Sequence, residues 1–179
     1  MRDYIKYAGI LFAITFVTAL LLGVVNNFTA PVIENFKNEK MRAAIEVVVE
    51  GKIDVATEKK YDVDGESTVT EITSYVNDSG NVVYAVKAIP VGYAGDIEMM
   101  VGVNNQGMVT GVEIINMSET AGLGANAKGN TQWLSQFLGK GNDKLNTITG
   151  ATITSKAVQK GVDDARAQVE KIAGGVAVE

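Results

Sequence analysis

The chain is 179 residues long, with 21 acidic and 16 basic side chains, a net charge of −5, no histidine and no cysteine. That length holds one ordinary domain and an appendage, and the acidic balance excludes a phosphate-neutralising nucleic-acid surface. Missing Cys and His exclude disulfides, thiolate-held clusters and the usual haem and zinc ligands, so any redox group must be organic and held by other side chains.

In chain order, the first element is apolar. No charged side chain occurs between Lys6 and Glu34, and the run "YAGILFAITFVTALLLGVV" supplies the length a membrane-spanning helix needs, about 20 residues. Thr15 and Thr18 are tolerable in lipid, because a helical hydroxyl can return to a carbonyl of the preceding turn. No small-residue cleavage pattern follows the run, so an uncleaved anchor is expected rather than a signal peptide. Arg2 and Lys6 precede the span while Lys37, Lys40 and Arg42 follow it, so the positive-inside rule leaves its orientation open.

Pro31 suits a helix start, and Ile33, Phe36, Ala43, Ala44 and Val47 recur at helical spacing through about residue 49. A second, amphipathic helix is expected there. The stretch "GKIDVATEKKYDVDGES" is polar and reads as a link. From Thr68 to Met117 the texture is that of strands: "TVTEITSYV", "VVYAVKAI", "IEMMVGV" and "MVTGVEIIN" are rich in β-branched residues. "NDSGN" and "NNQG" between them predict hairpins, hence an antiparallel sheet. "NTQWLSQFLG" predicts a short helix. A longer one begins at Thr154 or Ser155, with Val158, Val162, Ala165 and Val169 on one face and Gly174–Gly175 at its end. The fold class is α+β: one N-terminal transmembrane helix, then a domain with a mostly antiparallel sheet flanked by helices.

Three stretches invite a functional reading. "GATITSK" lacks the glycine a P-loop requires before its lysine, since Ser155 stands there. "GLGANA" fits a loose dinucleotide fingerprint but follows an antiparallel meander, outside any βαβ unit. It reads as a polar loop after "SET", in which Glu119 is either a solvated charge or a site carboxylate. "NTITGATITSKAV" crowds hydroxyls (Thr147, Thr149, Thr152, Thr154, Ser155) around Gly150 and Ala151. The alternation alone also fits a half-buried strand with a glycine bulge. Its place before a helix instead suggests an anion seat, where unpaired N–H groups and the dipole favour a phosphate and Lys156 adds positive charge.

These residues resemble the covalently flavinylated FMN-binding domains of the Rnf and Na+-pumping NADH:quinone reductase complexes, the G subunit of Rnf most of all. The family's [ST]-G-A-T-x-[ST] signature is matched by Thr149-Gly150-Ala151-Thr152-Ile153-Thr154, and its second block by Gly92-Tyr93-Ala94-Gly95 with Ser118-Glu119-Thr120-Ala121-Gly122-Leu123-Gly124. Ala121 stands where proline is usual, Asn146 where aspartate is frequent and Met117 where histidine is common.

The resemblance implies FMN esterified through its phosphate to Thr152, seated by Thr149, Gly150, Ala151, Thr154, Ser155 and Lys156. Glu119, Thr120, Gly122, Leu123 and Gly124 then lie over or beside the isoalloxazine ring, with Tyr93, Met99 and Met100 as further pocket candidates. It implies residues 1–28 as transmembrane anchor, 29–66 as juxtamembrane helix and linker, and 67–179 as the FMN-binding domain. It also implies an electron carrier within a membrane-bound, ion-translocating ferredoxin:NAD+ oxidoreductase, with the N-terminus cytoplasmic and the flavin domain on the outer side. Its partners would be the other subunits, the membrane lipid and a flavin transferase, with no nucleic acid. A membrane-tethered ligand-binding or interaction domain without redox activity is the alternative; a flavin domain serving another reductase is a third.

Overall fold

The computed structural model describes residues 2–49, 51–139 and 145–176. Helix α1 runs Arg2–Val48. The chain divides into two compact units, 1–40 and 41–179. In the first unit every side chain from Tyr4 to Lys40 is exposed, yet the most apolar window has a mean hydropathy of 2.5. A helical segment apolar all round and exposed on every side is suited to lipid, and this one is long enough to cross a membrane. Two helices meeting at Pro31 were expected; instead Pro31 lies inside one continuous helix. Proline forfeits one backbone bond there, but neighbouring turns on both sides keep theirs.

The second unit is a five-stranded meander, β1 (Ile53–Tyr61), β2 (Val69–Asn77), β3 (Val82–Ala88), β4 (Ile97–Asn104) and β5 (Val109–Met117), each antiparallel to the next. The β2–β3 and β4–β5 turns are built alike. Asn77 Oδ1 accepts from the N–H of Ser79 (3.1 Å) and Asn81 (2.9 Å), and Asn104 Oδ1 from Gln106 (3.0 Å) and Met108 (2.9 Å). Gly80 and Gly107 supply the positive φ each turn needs, 77° and 76°.

β1 lies in the stretch read as a polar link. It is an edge strand whose register shifts between Asp54 and Lys59, and most of its side chains are exposed. It is tied on by Thr57 Oγ1, which accepts from Val76 N–H (2.8 Å), and by the Lys60–Glu71 ion pair (3.0 Å). The compact unit therefore begins well before residue 67.

Each sheet face has a cover. α2 (Thr131–Leu134) and α3 (Thr152–Val176) lie on one side. Val158, Val162, Ala165 and Val169 of α3 are buried against Val86, Met99, Val101 and Ile114, together with Trp133 and Phe137. Each large aliphatic side chain buried this way contributes about 1.5–3 kcal/mol. On the other side the last turns of α1 place Ala44, Val48 and Val49 against Val83, Ala85, Met100 and Ile115. Two paired glycines, Gly102 and Gly111, admit this contact. A Cβ on Gly102 would collide with the Val48 carbonyl oxygen, which Thr110 Oγ1 binds at 2.6 Å.

Candidate functional site

The segment before α3 is held from three sides. Trp133 Nε1 donates to the Asn146 carbonyl (2.7 Å), and the Asn146 N–H donates to Gln136 Oε1 (3.0 Å). The Ile148 N–H donates to Ser155 Oγ (3.0 Å), while the Ile148 carbonyl accepts from Ala151 N–H (2.9 Å). Gly150, at φ 78°, turns the chain into the helix, and a Cβ there would press on Leu123 Cδ2 at 3.0 Å. So a glycine at 150 lets the 118–124 loop close against the helix start.

Between these segments lies a cleft of about 400 Å³, within the size range of small-molecule sites. Gly150, Ala151, Thr152, Ile153 and Thr154 form one wall; Glu119, Thr120, Leu123 and Gly124 form the opposite one, and Tyr93 stands at the rim. Tyr93 (70% exposed), Ile153 (54%) and Leu123 (46%) offer apolar surface to a ring.

The crowded hydroxyls divide by helical phase. Thr154 is 1% exposed and donates to Glu119 Oε2 at 2.9 Å. Ser155 is buried and spent on pinning Ile148. Thr152 is exposed, lines the cleft, and its hydroxyl has no partner among the described residues. Ser155 N–H bonds back to the Ala151 carbonyl (2.9 Å), which leaves the N–H groups of Thr152, Ile153 and Thr154 as the unpaired start of α3. A phosphate beside Thr152 would meet those donors at the positive end of the helix. The donor set and the apolar flanks therefore fit a flavin nucleotide.

The structure brings Thr152, Gly150, Ala151, Thr154, Glu119, Thr120, Leu123, Gly124 and Tyr93 to one cleft. Thr149 and Lys156 are exposed but do not line it, and neither do Gly122 and Ser155. Met99 sits in the core at 0% exposure, where a Cβ on Gly161 would meet its sulfur at 2.8 Å, and Met100 belongs to the opposite sheet face. Neither methionine reaches the cleft. Ile153, the variable position of the signature and given no site role from the sequence, does; its position off the α3 core stripe is the signal that would have found it.

The cleft lies within residues 92–167, which match the family described as the FMN-binding domain. Across a longer stretch, the G subunit of the Na(+)-translocating ferredoxin:NAD(+) oxidoreductase complex of Acetobacterium woodii is 36% identical over 183 residues, spanning 88% of this chain and 87% of that protein. The G subunit of the proton-translocating ferredoxin:NAD(+) oxidoreductase complex of Clostridium ljungdahlii is 41% identical over 115 residues, 56% of this chain and 62% of that one. The chain belongs to this family, the G subunits of the Rnf complexes. The crystal structure of Shewanella oneidensis NqrC is similar at a TM-score of 0.48 and 17% identity over 74% of each chain.

Proposed function

We propose that this chain is the electron-carrying subunit of a membrane-bound, ion-translocating ferredoxin:NAD+ oxidoreductase of the Rnf type, and that it carries FMN as a phosphoester on Thr152. Bound there, FMN supplies one-electron exchange with neighbouring subunits. The chain's own part is to bind, orient and shield it. Attachment would join Thr152 Oγ1 to the flavin-side phosphorus of a flavin dinucleotide held by the transferase: that O–P bond forms, the phosphoanhydride bond breaks, a nucleoside monophosphate leaves, and the hydroxyl proton passes to a base of the transferase. The N–H groups of Thr152, Ile153 and Thr154 neutralise the phosphate, and Tyr93, Leu123 and Ile153 flank the ring. The other subunits, the flavin transferase and the lipid are its partners; α1 anchors it, with the cleft on the outer side of the membrane.

One observation carries the attachment site: of the hydroxyls at the start of α3 that line the cleft, Thr152 is exposed and unengaged while Thr154 is buried and spent on Glu119. Co-expression with the flavin transferase followed by a denaturing gel tests it. The wild type shows a flavin-fluorescent band and Thr152→Ala shows none. Fluorescence surviving Thr152→Ala overturns the assignment, and a colourless wild type favours a tethered domain without redox activity.

A further inference from the structure

One carboxylate crosses the back of the cleft. Glu119 Oε1 accepts from the N–H of Tyr93 (2.8 Å) and of Ala94 (3.2 Å), and Oε2 accepts from Thr154 Oγ1 (2.9 Å). Three stretches distant in sequence meet on that single side chain: the 92–95 turn before β4, the loop after β5, and the first turn of α3. Two glycines make the room. A Cβ on Gly92 would collide with Oε1, and one on Gly124 would stand 2.6 Å from Oε2 and 2.5 Å from Thr154 Oγ1. Besides Glu119 the 92–95 turn is held at its base, by the bonds from Gly92 N–H to the Gly95 carbonyl (2.8 Å) and from Ile97 N–H to the Pro90 carbonyl (2.9 Å) and by the bridge from Val91 to Asp96, while Tyr93 and Ala94 at its tip are exposed.

We propose that Glu119 is a positioning residue of this site rather than a flavin ligand: it straps the Tyr93 rim to the Thr152 wall and so sets the width of the cleft between them. The proposal rests on the FMN reading above and deepens it. A carboxylate suits the task because both oxygens accept, and bonds to a charged acceptor are roughly twice as strong as neutral ones. It also spends the Thr154 proton, so Thr154 has none to offer the flavin phosphate and the phosphate is left to Thr152 and the helix-start amides. Glutamine keeps part of the strap. Its carbonyl can take both N–H groups while its NH2 faces a Thr154 hydroxyl turned round to accept. Alanine keeps none of it.

The test uses the full chain in nanodiscs. Amide exchange at Tyr93 and Ala94 is measured by NMR without flavin in the wild type, Glu119→Gln, Glu119→Ala and Thr154→Val. The same variants, co-expressed with the transferase, are then compared by intact mass and by fluorescence anisotropy of the attached flavin. In Glu119→Ala the two amides should exchange at least tenfold faster while β4 amides are unchanged, and the flavin that is attached should tumble more freely. Glu119→Gln should recover most of both. Unchanged exchange at Tyr93 and Ala94 in Glu119→Ala, or an attached flavin as immobile as in the wild type, overturns the proposal. If Glu119→Ala does not fold, Thr154→Val decides, because it removes only the Oε2 limb at nearly constant volume: wild-type anisotropy there overturns the strap. A wild type that takes no flavin defeats the FMN reading instead, and the exchange rates still decide the strap.

Discussion

At Thr154 and Ser155 the hydroxyl groups face inward, and at Thr152 outward, because the start of α3 already follows the phase set by Val158 in the core. Residues three and four before Val158 share its face, while Thr152 and Ile153 fall off it. The crowding of hydroxyls was legible as a string of letters; which of them meets the ligand becomes legible only once the helix phase is known. The glycines around Glu119 are the other part of the site that sequence alone leaves obscure, since their purpose is a contact between distant segments. Gly124→Ala makes that contact measurable. The new methyl would displace Thr154 Oγ1 and Glu119 Oε2 together, so thermal unfolding of the full chain should show a loss of about 1–3 kcal/mol, the usual cost of overpacking a closed site. An unchanged melting curve would mean the loop yields freely and the packing there is slack.

Among the elements, β2 to β5 were readable because alternating β-branched runs and Asn-led turns are short-range signals. β1 was not. A polar edge strand with a register shift keeps few apolar residues to announce it, and its pairing with β2 is decided by the sheet rather than by its own composition. α3 is joined to the beginning of β2 by a charge that only the fold reveals. Asp164 Oδ2 accepts from Thr68 N–H (2.9 Å) and Thr68 Oγ1 (2.7 Å) and pairs with Lys160 (2.6 Å). Burial pushes its pKa up, but the bonds from Lys160 and Thr68 outweigh that and hold it below its ordinary value of 3.8. A carboxyl depressed on folding contributes stability that is present above its unfolded pKa and lost as pH falls through the folded one. Asp164→Asn should therefore be less stable than wild type at pH 7, and the gap should close below about pH 4 as the wild type surrenders that contribution. Burial first, and the Asp164 charge with it, raise the neighbouring Asp163, so Asp164→Asn relieves part of that shift and offsets some of the loss at pH 7. Parallel pH profiles of the two proteins would show that Asp164 does not stabilise the fold through its charge.

For the whole molecule the open question is which side of the membrane the cleft faces, and flanking charge does not decide it: basic residues stand at both ends of the apolar span. The outward placement proposed above would give the proposed ester a purpose. A flavin bound only reversibly on the outer side would be lost to an effectively unlimited volume, whereas an ester to Thr152 keeps it with the chain whatever the concentration outside. The absence of native cysteine makes the placement directly measurable. Ser79 sits exposed in the β2–β3 turn, where its N–H is donated to Asn77 Oδ1. Ser79→Cys thus gives one thiol at an accessible turn with its backbone bond intact. In intact cells a membrane-impermeant maleimide should modify that thiol without permeabilisation, and intact mass of the purified chain would record it. Modification seen only after the membrane is opened would put the flavin cleft on the cytoplasmic side, and the retention argument for a covalent bond would go with it.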